Sequence, residues 1–186
     1  MTEETERPAI LPFLRREIFH TTSRDSLRAI LDLGEIRPSG EFEHATSYRP
    51  DVHYGGRCGY VCLFDFETPT EEECLNRYRS KWGNVLRYHS PVTVAIKLRR
   101  SAIPNLIPNK PPELVRDEHG QLFQPSYIPK VEVWSADPIP TSAILAYIVI
   151  DATDIEKFRE FPVSGDDRSD LTAIDSIARD FRKDSK

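Results

Sequence analysis

Residues 16–34 read REIFHTTSRDSLRAILDLG, and this stretch predicts a strand that runs directly into a helix. The strand covers about Arg16–Thr21 and alternates, with Ile18 and His20 on one face and Phe19 on the other. A histidine at a strand end, directly before a helix, is well placed to present its imidazole to a ligand. The alternative is a half-buried histidine whose ring is hydrogen-bonded to a nearby carbonyl.

The helix has a start signal, a buried face and a stop signal. Thr22-Ser23-Arg24-Asp25 has the form of a capping box, in which a hydroxyl is followed three residues later by a carboxylate. Gly34 suits the left-handed position that ends a helix. The residues with the spacing of a buried helical face are Leu27, Ile30, Leu31 and Leu33.

Outward from this unit, the chain predicts more strands than helices. Further strands are expected over residues 59–66, 91–98, 128–134 and 146–150. Helices are expected over residues 70–82, 154–161 and 171–182, a long polar loop over 35–59, and irregular structure over 104–112, which contain four prolines. This pattern is typical of an α+β domain.

Length and composition fit one domain. A chain of 186 residues with 39% hydrophobic residues can build one core, whereas two full cores would be cramped. We expect a flexible leader over residues 1–15 and a single domain over residues 16–186 that includes the C-terminal helices.

Charge, hydropathy and cysteine content indicate which partners and which cellular compartment to expect. A net charge of −5 does not favour non-specific binding of nucleic acid, although a local basic groove stays open. The longest apolar stretch, residues 143–150, is too short to span a bilayer, and the acidic N-terminus is unlike a secretory signal. Cys58, Cys62 and Cys74 form no disulfide framework and have no matching pair at zinc-binding spacing. We therefore expect a cytoplasmic protein without a metal or a membrane partner.

Two other parts of the sequence contain candidate catalytic or ligand-binding residues: the strand around Glu132 and the loop over 35–59. Glu132 lies in a predicted strand between Val131 and Val133, so its carboxylate points either to solvent or into a cleft. The loop over 35–59 mixes cations and aromatics with glycines, which suits pairing with phosphate and stacking on a base, or is simply a polar surface loop. Its candidate residues are Tyr48, Arg49, His53, Tyr54 and Arg57.

Three short blocks follow one another along residues 16–151. The first is Ile18-Phe19-His20-Thr21-Thr22 with the helix that ends at Gly34, and the second is Gly59-Tyr60-Val61-Cys62-Leu63-Phe64-Asp65-Phe66. The third is Val131-Glu132-Val133-Trp134 with Ile139-Pro140 downstream. In this order and spacing they resemble the ADP-ribosyltransferase superfamily, and most closely the DarT-type toxins that modify nucleic acid.

The resemblance implies a fold, a substrate and a set of roles. The fold would be an ADP-ribosyltransferase-like split β-sandwich with flanking helices around a cleft for NAD, which is a substrate. Glu132 would be catalytic, and His20, Thr21 and Thr22 would bind NAD. Tyr60 would stack on nicotinamide. An arginine before that strand would contact phosphate or the acceptor: Arg49 is the catalytic candidate and Arg57 the NAD-binding one, and the sequence does not choose between them.

The implied function is mono-ADP-ribosylation of a macromolecule, nucleic acid being favoured over protein, by a toxin or defence effector with a cognate antitoxin. The loop is shorter than in typical nucleic-acid-modifying members, which leaves the acceptor open. Two alternatives stay open: an RNA 2′-phosphotransferase-like enzyme, and a catalytically inactive domain that binds a partner. The first alternative needs cations for an RNA phosphate, and the candidates are Arg24, Arg28 and Arg37.

Overall fold

The computed structural model describes residues 8–15, 17–38, 55, 58–77, 82–108, 115–116, 122–123, 128 and 130–183. Its helices are α1 (Leu11–Leu14), α2 (Arg24–Leu33), α3 (Glu71–Arg77), α4 (Gly83–Val85) and α5 (Asp167–Lys183). Its strands are β1 (Ile18–Ser23), β2 (Glu35–Ile36), β3 (Val61–Asp65), β4 (Val92–Leu98), β5 (Leu106–Ile107), β6 (Val115–Arg116), β7 (Leu122–Phe123), β8 (Glu132–Ser135), β9 (Ile139–Pro140), β10 (Ile144–Asp151) and β11 (Phe158–Pro162). Single 3-10 turns cover Arg100–Ala102 and Thr141–Ala143.

One antiparallel sheet organises these elements. Its seven strands lie in the order β11-β10-β4-β1-β3-β8-β5, while β2 pairs with β9 and β6 pairs with β7. The interior strand β4 is buried almost throughout because it is paired on both edges and covered on both faces. The predicted α+β class is confirmed.

Helices cover both faces of the sheet and divide the core into two. On the first, the α2/α5 face, residues of α2 and α5 pack on Ile18, Leu63 and Val94. On the second, the α1/α4 face, residues of α1, α3 and α4 pack on Phe19, Phe64 and Ala95. Because successive strand residues point to opposite faces, β1, β3, β4 and β10 each contribute to both cores.

The predicted strand–helix unit is present with two corrections. Ser23, not Thr22, caps α2: its Oγ accepts a hydrogen bond from the N–H of Ser26 at 3.0 Å. Thr22 is still in the strand, since β1 pairs with β4 as far as Ser23↔Thr93. Gly34 ends the helix in the predicted left-handed conformation, with φ of 78°. Leu33 does not join the buried face, because its side chain is 49% exposed.

Three further corrections concern the ends and the loops. Residues 154–161 were predicted as a helix, but β11 lies there and pairs with β10 from Ala146↔Pro162 to Ile150↔Phe158. The apolar strand β10 thereby gains a partner for its outer edge. In the expected leader over residues 1–15, residues 8–15 instead contain α1, whose Leu11 and Leu14 are buried. The proline-rich stretch 104–112 contains the short strand β5.

The C-terminal helix α5, predicted over residues 171–182, packs on the α2/α5 face through Ile174, Ile177 and Phe181. Arg24 of α2 donates two hydrogen bonds to the carboxylate of Asp175, at 2.9 and 2.8 Å. This bidentate pair joins the two helices across the sequence. Within the part of the chain that the structure describes, no helix is long and apolar enough to cross a membrane.

Candidate functional site

The sheet has a discontinuity between β1 and β3. β1 pairs with β4 over six residues but with β3 over only two, at Ile18↔Asp65 and Phe19↔Phe64. Beyond Phe19 the backbone ladder between β1 and β3 ends, and we call this place the β1–β3 gap. It directly precedes the N-terminus of α2.

His20 is the first residue of β1 beyond the part that pairs with β3. Its Nδ1 lies 3.0 Å from the backbone oxygen of Cys62 on β3. A carbonyl oxygen only accepts, so Nδ1 carries the proton and Nε2 of the neutral ring presents a lone pair. Burial lowers the pKa of His20, against the opposing effect of the Cys62 hydrogen bond, so the neutral form is favoured at pH 7. The carbonyl-bonded histidine expected as the alternative is therefore present, and it holds the ring in one tautomer.

Glu132 is a buried carboxylate at the start of β8, which lies between β3 and β5 and is not an edge strand. Its side chain does not point to solvent, since the residue is only 2% exposed. Oε2 accepts a hydrogen bond from the N–H of Ile128 at 2.8 Å, and Oε1 accepts one from Nε1–H of Trp134 at 2.9 Å. Burial raises the pKa of Glu132 to about 6, and these two hydrogen bonds oppose the rise.

A tight turn, rather than a strand, precedes Glu132. Lys130 has a left-handed backbone with φ of 71°, and the N–H of Glu132 donates to the oxygen of Ile128 at 3.0 Å. The prediction that the strand begins at 128 is therefore wrong, and Val131 and Val133 do not share a face as they would in a continuous strand. Val131 packs in the α1/α4 core and Val133 in the α2/α5 core. Glu132 and Trp134 do share a face, as alternation predicts.

His20 and Glu132 flank the same segment of β3, but from different sides. His20 pairs with Ile96 of the α2/α5 core, whereas Glu132 pairs with Phe64 of the α1/α4 core. The imidazole reaches the backbone of Cys62, and Cys62 in turn pairs with Trp134. Two strand spacings separate β1 from β8, or about 10 Å at the least. A ligand that touches both residues must therefore be extended and must reach from one face of the sheet to the other.

The other NAD-binding candidates are spread around this segment. Thr21 lines a small apolar cavity of about 10 Å³ together with Phe19 and Trp82, whereas Thr22 is buried and pairs with Val94 of the other core. The structure thus places these two threonines on opposite sides of β1. Tyr60 is half-buried just before β3, and its N–H donates to the oxygen of Gly55 at 2.8 Å. Arg49 and Arg57 lie outside the described residues.

Sequence reasoning missed two contributors to this region. The indole of Trp134 binds Glu132, and the signal for it was the shared strand face of residues two apart. His89 has a buried Nδ1 without a hydrogen-bond partner, and burial, followed by the proximity of His20, lowers its pKa to about 4. No motif pointed to His89, because it lies in an irregular segment before β4.

Several cations that would otherwise be available to bind a phosphate are held in ion pairs. Lys97 lies 3.2 Å from Glu17 and 3.3 Å from Glu160, and Arg100 pairs with Asp65 and Glu67. Arg24 is held by Asp175 and Arg37 by Glu35. These pairs leave fewer free cations for a phosphate than the sequence suggests. Among the residues described, no group of three or more His, Cys, Asp or Glu side chains could hold a metal ion.

Comparisons with known protein families, with curated proteins and with solved structures find no match to this chain.

Proposed function

We propose that this chain is an NAD-dependent mono-ADP-ribosyltransferase that modifies a macromolecule, with nucleic acid favoured over protein. The observation that carries the proposal is the buried carboxylate of Glu132, which is held by two neutral donors and lies opposite Phe64, the residue of β3 at which pairing with β1 ends. A buried carboxylate with a raised pKa costs stability, and such groups cluster at functional sites. In this proposal the β1–β3 gap is the opening of an ADP-ribosyltransferase-like split β-sandwich.

Glu132 has the chemistry that the reaction needs. In ADP-ribosyl transfer the bond from the ribose C1′ to nicotinamide breaks, nicotinamide leaves with the electron pair, and positive charge develops on the ribose. A fixed anion beside the ribose stabilises that charge, and it also accepts a hydrogen bond from the 2′-hydroxyl. With a pKa of about 6, Glu132 is mostly ionised at neutral pH. The acceptor nucleophile then forms the new bond at C1′ and releases a proton.

His20 supports binding of the same substrate. With its Nδ1–H held by the oxygen of Cys62, its Nε2 accepts a hydrogen bond from a ribose hydroxyl. The proposal keeps Thr22 and Tyr60 as NAD contacts, and Arg49 or Arg57 as the cation for phosphate or acceptor. An extended dinucleotide suits the separation of His20 and Glu132 across β3.

The 2′-phosphotransferase alternative has less support. It relies on Arg24, Arg28 and Arg37 to hold an RNA phosphate, but Arg24 and Arg37 are engaged by carboxylates. It also gives no role to a buried carboxylate at position 132. The partner-binding alternative predicts no stabilisation by NAD, whereas NAD at about 100 times its dissociation constant should stabilise a binding domain by roughly 2.7 kcal/mol.

Incubation with labelled NAD and separate pools of DNA, RNA and protein tests the proposal. We expect one pool to be labelled, and labelling to be lost with Glu132→Gln. Glu72→Gln is the matched control, because it removes a carboxylate from an exposed position on α3. Absence of labelling from every pool, or full labelling by Glu132→Gln, contradicts the proposal.

The biological setting is part of the same proposal. A cytoplasmic toxin should arrest growth when expressed alone, and a neighbouring antitoxin gene should relieve the arrest. Growth arrest that persists unchanged with Glu132→Gln would separate toxicity from ADP-ribosyl transfer.

A further inference from the structure

Trp134 sits between the candidate catalytic carboxylate and the segment that precedes β3. Its Nε1–H donates to Oε1 of Glu132 at 2.9 Å, and the residue is 1% exposed. Trp134 also lies directly opposite Cys62 in the pairing of β8 with β3. The indole is therefore packed closely and cannot turn away without disturbing its neighbours.

Gly55 packs directly against this indole. A methyl group added at Gly55 would lie 2.5 Å from Cδ1 and 2.7 Å from Nε1 of Trp134, and it would also collide with Sγ of Cys62. These distances are far below van der Waals contact, so only glycine permits this approach of the backbone. The oxygen of Gly55 also accepts the N–H of Tyr60, which ties this point to the start of β3.

The other carboxylate oxygen is held by a different element. Oε2 of Glu132 accepts the N–H of Ile128 from the turn before β8. One oxygen is thus fixed by the local turn, and the other by an indole whose position depends on Gly55.

We propose that Trp134 is a positioning residue that fixes the carboxylate of Glu132, and that the close packing of Gly55 against its indole keeps the ring in this position. The inference rests on the proposed function for its catalytic meaning.

Trp134→Phe is the direct test, because it keeps an aromatic ring and removes only the N–H donor and part of the ring. Donation to the charged carboxylate favours ionisation, so its loss should raise the pKa of Glu132 by about one unit. We expect the acidic limb of the NAD-consumption profile to move up by the same amount, with a larger fall in kcat than rise in KM.

Trp82→Phe is the matched control. Trp82 is also 1% exposed on the α1/α4 face, and its Nε1–H donates to the oxygen of Cys74 at 2.9 Å. Both variants lose one buried indole hydrogen bond, but only Trp134 touches Glu132. Trp82→Phe should therefore lower the melting temperature without moving the pH profile.

The pKa of Glu132 is also measured without reference to activity, from its carboxyl ¹³C resonance, assigned by its disappearance in Glu132→Gln. A raised pKa in Trp134→Phe without NAD consumption by the wild type would support the positioning role and refute the proposed function. NAD consumption with equal pKa values in wild type and Trp134→Phe would refute the positioning role alone. Gly55→Ala should displace the indole and raise the pKa in the same direction, and an unchanged value would refute the role of Gly55.

Discussion

Replacing Glu132 by Gln should change the pH dependence of stability in a defined direction. The pKa of this group is raised from 4.5 to about 6 in the folded protein. Because the folded protein favours the protonated carboxyl group, the contribution of Glu132 to the free energy of unfolding is fully present below pH 4.5. It is lost as pH rises through 6 and the group ionises. A difference of about 1.5 pH units corresponds to about 2 kcal/mol of stability at neutral pH.

The glutamine side chain has no proton to lose, so this cost disappears in the variant. It also leaves one donor, either Ile128 N–H or Trp134 Nε1–H, without an oxygen, which lowers stability at every pH. The difference in unfolding free energy between variant and wild type isolates the titration, because depressed carboxyl pKa values elsewhere, such as that of Asp65, act on both proteins.

Urea unfolding between pH 4 and pH 7.5 measures this difference. We expect the variant to gain about 2 kcal/mol relative to the wild type as pH rises over this range. Glu72→Gln, at an exposed position, controls for the loss of one carboxylate from the chain. A difference that is constant with pH would refute the raised pKa. A difference of the opposite sign would indicate a carboxylate stabilised by a cation.

Further predictions concern His20 and the two ends of α2. Nitrogen-detected NMR should show His20 neutral at pH 7 with the proton on Nδ1, and a protonated Nε2 would contradict the role proposed for it. A double-mutant cycle of Arg24→Ala and Asp175→Ala should give a coupling of about 0.5–1 kcal/mol, which high salt reduces. Gly34→Ala should cost about 1 kcal/mol because φ is 78°, and Gly34→Asn should cost less; equal costs would show that backbone strain is not responsible.

Local sequence signals determined the strand–helix unit at residues 18–34 and the interior strand β4. Each is encoded by near neighbours: alternation in the strands, helical spacing at Leu27, Ile30 and Leu31, and a glycine where the backbone turns left-handed. The amphipathic helix α5 was predicted for the same reason. His20 and Glu132 could also be identified as candidate site residues from the sequence, because each is a polar residue within a predicted apolar strand.

Only the tertiary structure decided what surrounds those residues. Phe158–Pro162 is a strand because β10 offers an unpaired edge, a condition that the local pattern does not contain. Glu132 is buried where β8 pairs with the distant strand β3, opposite Phe64, and its raised pKa follows from that burial. Likewise, the carbonyl that holds His20 and the glycine that packs on Trp134 are distant in sequence from the residues they contact. Sequence alone determined which groups are candidates for chemistry, whereas long-range strand pairing determined their charge, their orientation and the side of the sheet on which they lie.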